Sequence, residues 1–464
     1  MLAALAAGAG SGRPPLVAAG KREREETQMV FKSWKLAGFC VTMVAGCAAI
    51  LGASTTPALG SSGYPNPLAP TNCAFGFEYD VDIVPAPVFG PDDLAAYYVE
   101  NITYEPGEKV VFKGQFANAR FSSFAVYDAN GQIFTANGVK DSLADYLIEP
   151  DPGSINPWQR PGLAGKRPEN FTITLTNAAA PGMTNTLPLT PAGTASGATV
   201  WIMYRIYDPA GGTPAGFASQ PVPPSMTIDQ GSTSTTVPGC AKHGRASAAY
   251  MPLVTSTGSS SSSDAPLQFY APDVTDLLAI NPDESYVLTS FLAPPPTDVT
   301  VITGKAPTAP TSDQPSKWPN PKYDEQFWSM CIQYHTVLVE NPTLHGTDYG
   351  CRHNEQTNVN AAGDFMYVIG PEALRKQIEA IPGATFLPLA DNTGTANYTL
   401  MYRNLVVNPS FTHAPNSLPE TGADAATTAA VMGAYYPQGY TCPLIAFEES
   451  GLSACTEGSP YPKS

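Results

Sequence analysis

The stretch Thr199-Val200-Trp201-Ile202-Met203-Tyr204-Arg205-Ile206-Tyr207-Asp208 comes back later in the chain. It returns as Asn397-Tyr398-Thr399-Leu400-Met401-Tyr402-Arg403-Asn404-Leu405. Both copies carry Met-Tyr-Arg, and both follow a Leu-Pro-Leu, at 187–189 and 387–389. Self-similarity over a domain length is an architectural signal rather than a catalytic one. Further matches keep the same order. Residues 110–112 parallel 299–303, residues 120–126 parallel 326–332, and residues 169–175 parallel 363–369. The chain is therefore expected to hold two related domains, at 61–254 and 265–464. The nearly all Ser and Gly run at 255–264 reads as a flexible linker between them.

The local patterns are those of strands. Residues 170–176 (Asn-Phe-Thr-Ile-Thr-Leu-Thr) alternate strictly, as a half-buried strand does. Residues 109–116 and 121–127 read as two more strands, and Asp128-Ala129-Asn130-Gly131 supplies a turn. In the repeated stretch Val200, Ile202, Tyr204 and Ile206 share one face; Trp201, Met203, Arg205 and Tyr207 share the other. Both faces are largely apolar, which suits a central strand covered on both sides. Residues 91–98 open with Pro91-Asp92-Asp93 and predict a short helix with acids in its first turn. Residues 273–279 predict another helical turn. The fold class expected is all-β with minor α: two duplicated antiparallel β-sandwich or jelly-roll-like domains. With 47 prolines, 40 glycines and 14% charged residues, the composition excludes a coiled coil and favours short strands and many turns.

The first 60 residues read as leader. Glu25-Glu26 is encoded by GA(A/G)GA(A/G), a ribosome-binding pattern, so Met29 is expected to be the true start. From Met29, Lys32 and Lys35 form a basic region. An apolar run over 36–53 follows, and then the small residues Ala58-Leu59-Gly60, as in a secretory signal cleaved after Gly60. Val44-Ala45-Gly46-Cys47 offers the alternative of a lipid anchor on Cys47. Leu418-Pro419-Glu420-Thr421-Gly422 matches a sortase signal but lacks the apolar span and basic tail that such a signal needs. No later run reaches the ~20 apolar residues of a membrane helix.

Charge narrows the partners. The chain carries 24 basic and 40 acidic residues. Without residues 1–60, which hold six basic and three acidic ones, the balance is 18 against 37, a net −19. A surface of that sign repels phosphate backbones, so nucleic acid is not expected as a partner. Of the eight cysteines, six remain after cleavage, an even number that argues for disulfides outside the cytoplasm. Spacing suggests Cys331-Cys351 across a hairpin, Cys442-Cys455 closing the C-terminal segment, and Cys73-Cys240 bracketing the first half.

Several runs carry a resemblance: residues 119–128 (Ala-Arg-Phe-Ser-Ser-Phe-Ala-Val-Tyr-Asp), 143–146 (Leu-Ala-Asp-Tyr), 150–157 (Pro-Asp-Pro-Gly-Ser-Ile-Asn-Pro) and 328–331 (Trp-Ser-Met-Cys). Over nearly the whole mature chain the sequence resembles a family of uncharacterised secreted actinobacterial proteins. Each half is similar to a β-rich domain of unknown function found in bacterial envelope proteins. The resemblance implies secretion and a β-rich fold, and carries no activity.

The sequence has no Gly-x-Ser-x-Gly elbow and no His-Glu-x-x-His. Gly162-Leu163-Ala164-Gly165-Lys166 has Arg160 and Arg167 where a phosphate loop needs Gly and Ser or Thr. His335, His345 and His353, with Asp348 and Glu355, are weak metal candidates, because no pair has the spacing that fixes two ligands on one element. Arg205 and Arg403 sit within apolar strands, where an unpaired charge is costly. Each is expected either in a buried ion pair, with Asp128 a candidate for Arg205, or at a pocket floor, bidentate to a ligand carboxylate. Tyr146, Asp151 and Trp158 belong to a long polar loop that could stack on and bond a sugar. No cofactor is expected. The function expected is a secreted or envelope-associated, non-enzymatic β-sandwich protein that binds a small molecule, a glycan or a protein partner, its partner being an unknown ligand or an envelope component. The alternative is a secreted hydrolase, such as a glycan-active one, working through paired carboxylates.

Overall fold

A computed structural model describes residues 72–79, 92–212, 215–241, 244–245, 266–277, 279–334, 350–389 and 397–456. The leader, Cys47, the 255–264 linker, His335, His345 and Asp348 lie outside the described residues.

Strands dominate. In the first half they are β1 (Phe77–Tyr79), β2 (Ala95–Thr103), β3 (Lys109–Gln115), β4 (Ala119–Tyr127), β5 (Thr135–Ala136), β6 (Val139–Lys140), β7 (Ser142–Ala144), β8 (Asn170–Thr176), β9 (Thr186–Leu187), β10 (Thr199–Pro209), β11 (Ser225–Gln230), β12 (Thr233–Val237) and β13 (Gly244–Arg245). The second half adds β14 (Ala271–Asp273), β15 (Glu284–Leu292), β16 (Asp298–Lys305), β17 (Glu325–Tyr334), β18 (Cys351–His353), β19 (Asp364–Pro371), β20 (Thr385–Leu389), β21 (Asn397–Val407), β22 (Thr421–Ala423) and β23 (Gln438–Pro443).

The two halves share one strand order. The first packs a sheet β13-β1-β2-β10-β4-β7 against β12-β11-β3-β8-β9. The second packs β15-β21-β17-β18 against β20-β19-β16-β23. Thus β2, β10, β4 and β7 correspond to β15, β21, β17 and β18, and the parallel pair β8–β9 corresponds to β19–β20. The edge pair β1–β13 is also parallel, and the other pairs within these sheets are antiparallel. The repeated stretches are β10 and β21, each central in its sheet.

Burial follows the alternation. Val200, Ile202, Tyr204 and Ile206 enter the core between the two first-half sheets, with Phe112, Phe124, Phe171, Ile173 and Leu175. The second half repeats this with Leu400, Tyr402, Trp328, Phe365 and Tyr367. The other face of β10 does not meet solvent. Met203 and Tyr207 join Ala95, Tyr97, Phe121 and Tyr127 of the first half in one cluster with Ala279, Trp318, Phe327, Leu405 and Val406 of the second. This cluster is the seam between the halves, and it explains why both faces of the repeated strand are apolar.

Two expectations need correction or placement. Residues 91–98 predict a helix, but Ala95–Thr103 is strand β2, paired along its length with β10. The acids do not start a helix. Asp92 closes a turn, its carbonyl accepting from the Ala95 N–H at 3.2 Å and its Oδ1 from the Leu94 N–H at 3.0 Å. Ala96 and Tyr98 then face the sandwich core, and Ala95 and Tyr97 the seam, so tertiary burial overrides the helix propensity of Ala-Ala. The sortase-like run is folded: Thr421 and Gly422 lie in β22, paired with β14. Gly422 has φ +83°, and a Cβ there would meet the Asp273 nitrogen at 2.9 Å, so no other residue fits.

All three disulfides form: Cys73–Cys240, Cys331–Cys351 and Cys442–Cys455. Cys331 and Cys351 are directly opposed on β17 and β18. Replacing Cys331 by Ser is expected to destabilise the second half by about 2–5 kcal/mol. Urea denaturation of C331S against the wild type measures this, and free thiols at both positions in the native protein would refute it. Among the described residues, no helix is long and apolar enough to cross a membrane.

Candidate functional site

The charged side chains concentrate in the seam, and the strand register puts them there. In the first half Arg205 of β10 lies between Tyr97 of β2 and Ser123 of β4. In the second, Arg403 of β21 lies between Tyr286 of β15 and Ser329 of β17. The same Tyr-Arg-Ser triplet is written across both sheets.

Each arginine reaches across the seam to the segment that leads into the other half's first seam strand. Arg205 donates to the Tyr127 hydroxyl, to the Ala279 carbonyl at 2.7 Å and to the Ile280 carbonyl at 3.2 Å. The Tyr97 and Tyr127 rings lie 5.8 and 5.5 Å from its guanidinium carbon. Arg403 Nη1 lies 3.8 Å from Asp92 Oδ2, and its Nε 3.6 Å from Glu284 Oε1. Both arginines are buried, so neither forms the floor of an open ligand pocket. Asp128 is not the partner of Arg205. It caps its own turn, accepting from the Asn130 and Gln132 N–H groups at 2.8 and 2.9 Å.

Asp92 is the centre of the set. His353 Nε2 lies 2.7 Å from its Oδ1 and 3.1 Å from Asp93 Oδ1. Ser329 Oγ donates to Asp92 Oδ2 at 2.6 Å, and the Tyr97 hydroxyl accepts from the Asp92 N–H at 3.0 Å. Burial alone would raise the Asp92 carboxyl. The charge and hydrogen bond of His353, with Arg403 and Ser329, outweigh it and hold the carboxyl well below the usual range. Burial likewise would lower His353, and the two aspartates override it and raise the imidazole well above its ordinary value.

A second knot lies nearby. Arg120 Nη2 pairs with Asp208 at 2.8 Å within the first half. Its Nη1 reaches Glu355 at 2.8 Å and Asn354 at 2.6 Å in the second half, and its Nε donates to the Ser312 carbonyl at 3.0 Å.

The loop aromatics behave differently from expectation. Trp158 is fully buried, its Nε1–H donating to the Arg120 carbonyl at 2.8 Å and its ring packed beside Phe116. Asn156 turns the chain inward: its amide donates to the Asp145 and Ile148 carbonyls, and its oxygen accepts from the Trp158 N–H. Tyr146 is half-buried and packs against both the first core and the seam. Asp151 accepts from Thr172 Oγ1 at 3.2 Å, which ties its loop to β8. These three residues do not form a sugar platform. Of the metal candidates, His353 and Glu355 are described: Glu355 pairs with Arg120, and His353 lies in the seam beside two aspartates whose pattern predicts a helix start.

Several carboxyls keep their protons well above the ordinary range. Burial pushes Glu284 up to about 7, with Arg403 opposing and Asp92 adding. Burial pushes Asp141 up to about 7 and Asp208 to about 6, Arg120 opposing the latter. The folded chain then binds more protons than the unfolded chain from about pH 4 to pH 7, so this part of the stability is lost as pH rises through that window. Asp92 acts oppositely: its contribution is present above the ordinary carboxylate pKa and lost on further acidification. Maximum stability is therefore expected near pH 4, the lower edge of that window, with a progressive loss toward pH 8. Calorimetry from pH 4 to 9 tests this; a midpoint climbing steadily from pH 5 to 8 would contradict it.

No protein-family model matches the chain, and no curated protein matches it. Among solved structures it is similar to an uncharacterised protein from Burkholderia cenocepacia, with 13% identity, a TM-score of 0.42, and 77% of this chain and 78% of that one covered. A protein from Vibrio parahaemolyticus is similar with 9% identity, a TM-score of 0.34, and 69% and 86% covered.

Proposed function

We propose that this chain is a secreted or envelope-associated, non-enzymatic β-sandwich protein that binds a small molecule, a glycan or a protein partner. The observation that carries this reading is where the chemistry-bearing side chains are spent. Asp92, Ser329, His353, Arg205 and Arg403 are sealed in the seam and bonded to one another or to backbone. Ser329 and His353 both bond to Asp92. A nucleophile needs its base at its own oxygen, and here the serine proton is directed at a carboxylate. The raised carboxyls Glu284 and Asp141 are buried as well, not opposed across a cleft. Three disulfides and the acidic composition suit an oxidising exterior, and secretion together with the actinobacterial family resemblance belongs to the same proposal.

Native mass spectrometry of the protein taken from culture medium tests the reading. The expected result is a chain six hydrogens light, carrying an organic addition that denaturation releases. Turnover of envelope glycans by the purified protein would overturn it, and a lipid-sized covalent addition at Cys47 on membrane material would replace free secretion by anchoring.

A further inference from the structure

We propose that Asp92, Asp93 and His353 form a buried binding site for one divalent cation of the zinc class, a property beyond the binding role above and independent of it. Three donor atoms from two places in the chain, the turn before β2 and the end of β18, converge. His353 Nε2, at the end of β18, lies 2.7 Å from Asp92 Oδ1 and 3.1 Å from Asp93 Oδ1. The three donors all lie within 4.8 Å of one another.

The arrangement without an ion leaves a debt. One ring nitrogen has at most one hydrogen to offer two carboxylates. Asp92 Oδ1 receives it, and Asp93 Oδ1 is left without a hydrogen bond although its side chain is only 8% exposed. A divalent ion bound to Nε2 and both oxygens satisfies all three.

The surroundings hold Asp92 as a ligating carboxylate is usually held. Ser329 Oγ fixes Asp92 Oδ2, the Leu94 N–H braces Oδ1, and the Tyr97 hydroxyl anchors the Asp92 backbone.

The other half supplies an internal control. The Asn281 N–H donates to the Tyr286 hydroxyl as the Asp92 N–H does to Tyr97. Asn281 Oδ1 accepts from the Asp283 N–H as Asp92 Oδ1 does from Leu94, and the Glu284 N–H meets the Asn281 carbonyl as Ala95 meets that of Asp92. Ala144 pairs with Ser123 as His353 pairs with Ser329. The equivalent positions are therefore Asn281, Pro282 and Ala144. The same turn and strand pairing form there with no imidazole and no adjacent pair of aspartates; a single buried carboxylate, Asp283, follows Pro282 and bonds to Ser142 at 3.1 Å and to Ser123. The fold therefore accepts one carboxylate at this place, and the second aspartate and the histidine are particular to the Asp92 turn.

Donor chemistry names the ion class. One imidazole nitrogen with carboxylate oxygens suits zinc and its neighbours. Calcium takes six to eight oxygens, which this set lacks. Cys331 Sγ lies 3.8 Å from Asp92 Oδ2 but is held in a disulfide and offers no thiolate.

The test uses the full chain purified without chelators. Elemental analysis and native mass spectrometry are expected to find a single zinc-class ion per chain, or to find one after incubation with zinc sulfate, with a raised thermal midpoint. Asp93→Asn, which keeps size and removes the charge, is expected to lower zinc affinity by at least about 10–100-fold while keeping the circular dichroism spectrum and all three disulfides. If that variant does not fold, His353→Gln is read instead. A wild type that is metal-free as purified and takes up no zinc overturns the proposal, as does a folded D93N or H353Q variant that retains the ion. An organic addition in the native spectrum belongs to the binding role and leaves the metal count untouched.

Discussion

Replacing Arg120 by Met is expected to cost about 3–5 kcal/mol and to split unfolding into two steps. Arg120 is fully buried and joins Asp208 of its own half to Asn354, Glu355 and the Ser312 carbonyl of the other. Removing it strands the buried Asp208 carboxylate above all, whereas Glu355 keeps some contact with solvent. The seam also loses its widest polar tie, so the halves should no longer unfold as one unit. Urea denaturation followed by tryptophan fluorescence and by circular dichroism reads both effects. The cost carries a pH signature. Arg120 opposes the burial that holds Asp208 at about 6. Without it Asp208 rises further and takes up a proton more readily, so R120M is expected to lose less at pH 5 than at pH 8. A variant with an unchanged midpoint and a single transition at both pH values would show that the knot does not join the halves.

Trp158→Ala is expected to cost a further about 3–5 kcal/mol on its own, as large-to-small changes of a fully buried indole do. The ring fills the end of the first core beside Phe116, and its Nε1–H occupies the Arg120 carbonyl. Its own carbonyl accepts from the Trp318 N–H at 3.1 Å, which links the loop to the second half. Trp158→Phe keeps most of the ring volume and loses the donor, so it separates packing from hydrogen bonding. If W158A keeps wild-type stability and loses affinity for a sugar, the stacking role expected from the sequence is restored.

What the sequence revealed and what it hid divide along a physical line. Strands whose alternation meets one core were legible: 170–176 alternate buried and half-buried as read, and the repeated stretch is central in both sheets. The order of the matches at 110–112, 120–126 and 169–175 reproduces the order of the strands. Hidden were features decided by the partner half. Arg205 bonds to the backbone of Ala279 and Ile280, and a carbonyl leaves no trace in composition. Strand β2 carries the caps and alanines of a helix and becomes a strand because β10 offers a register for it. Trp158 sits in a polar, proline-marked loop and is nonetheless interior, because Asn156 folds the loop back on itself. Asp92 and Asp93 could have been found by extending the alignment of the halves upstream of Val110, where Asn281 and Pro282 replace them.

The shared strand order has a consequence for how such a chain can change. Each half presents a greasy outer wall to its twin and borrows the twin's leading arm to quiet a central arginine. Neither half is a bead on a string. Excised alone, one would expose Tyr97, Phe121, Met203 and Tyr207 and leave Arg205 without its two carbonyls, and the product would clump or pair with a copy of itself. Recombination can therefore trade these halves only as a couple, and the room for sequence change lies at the rims farthest from the seam.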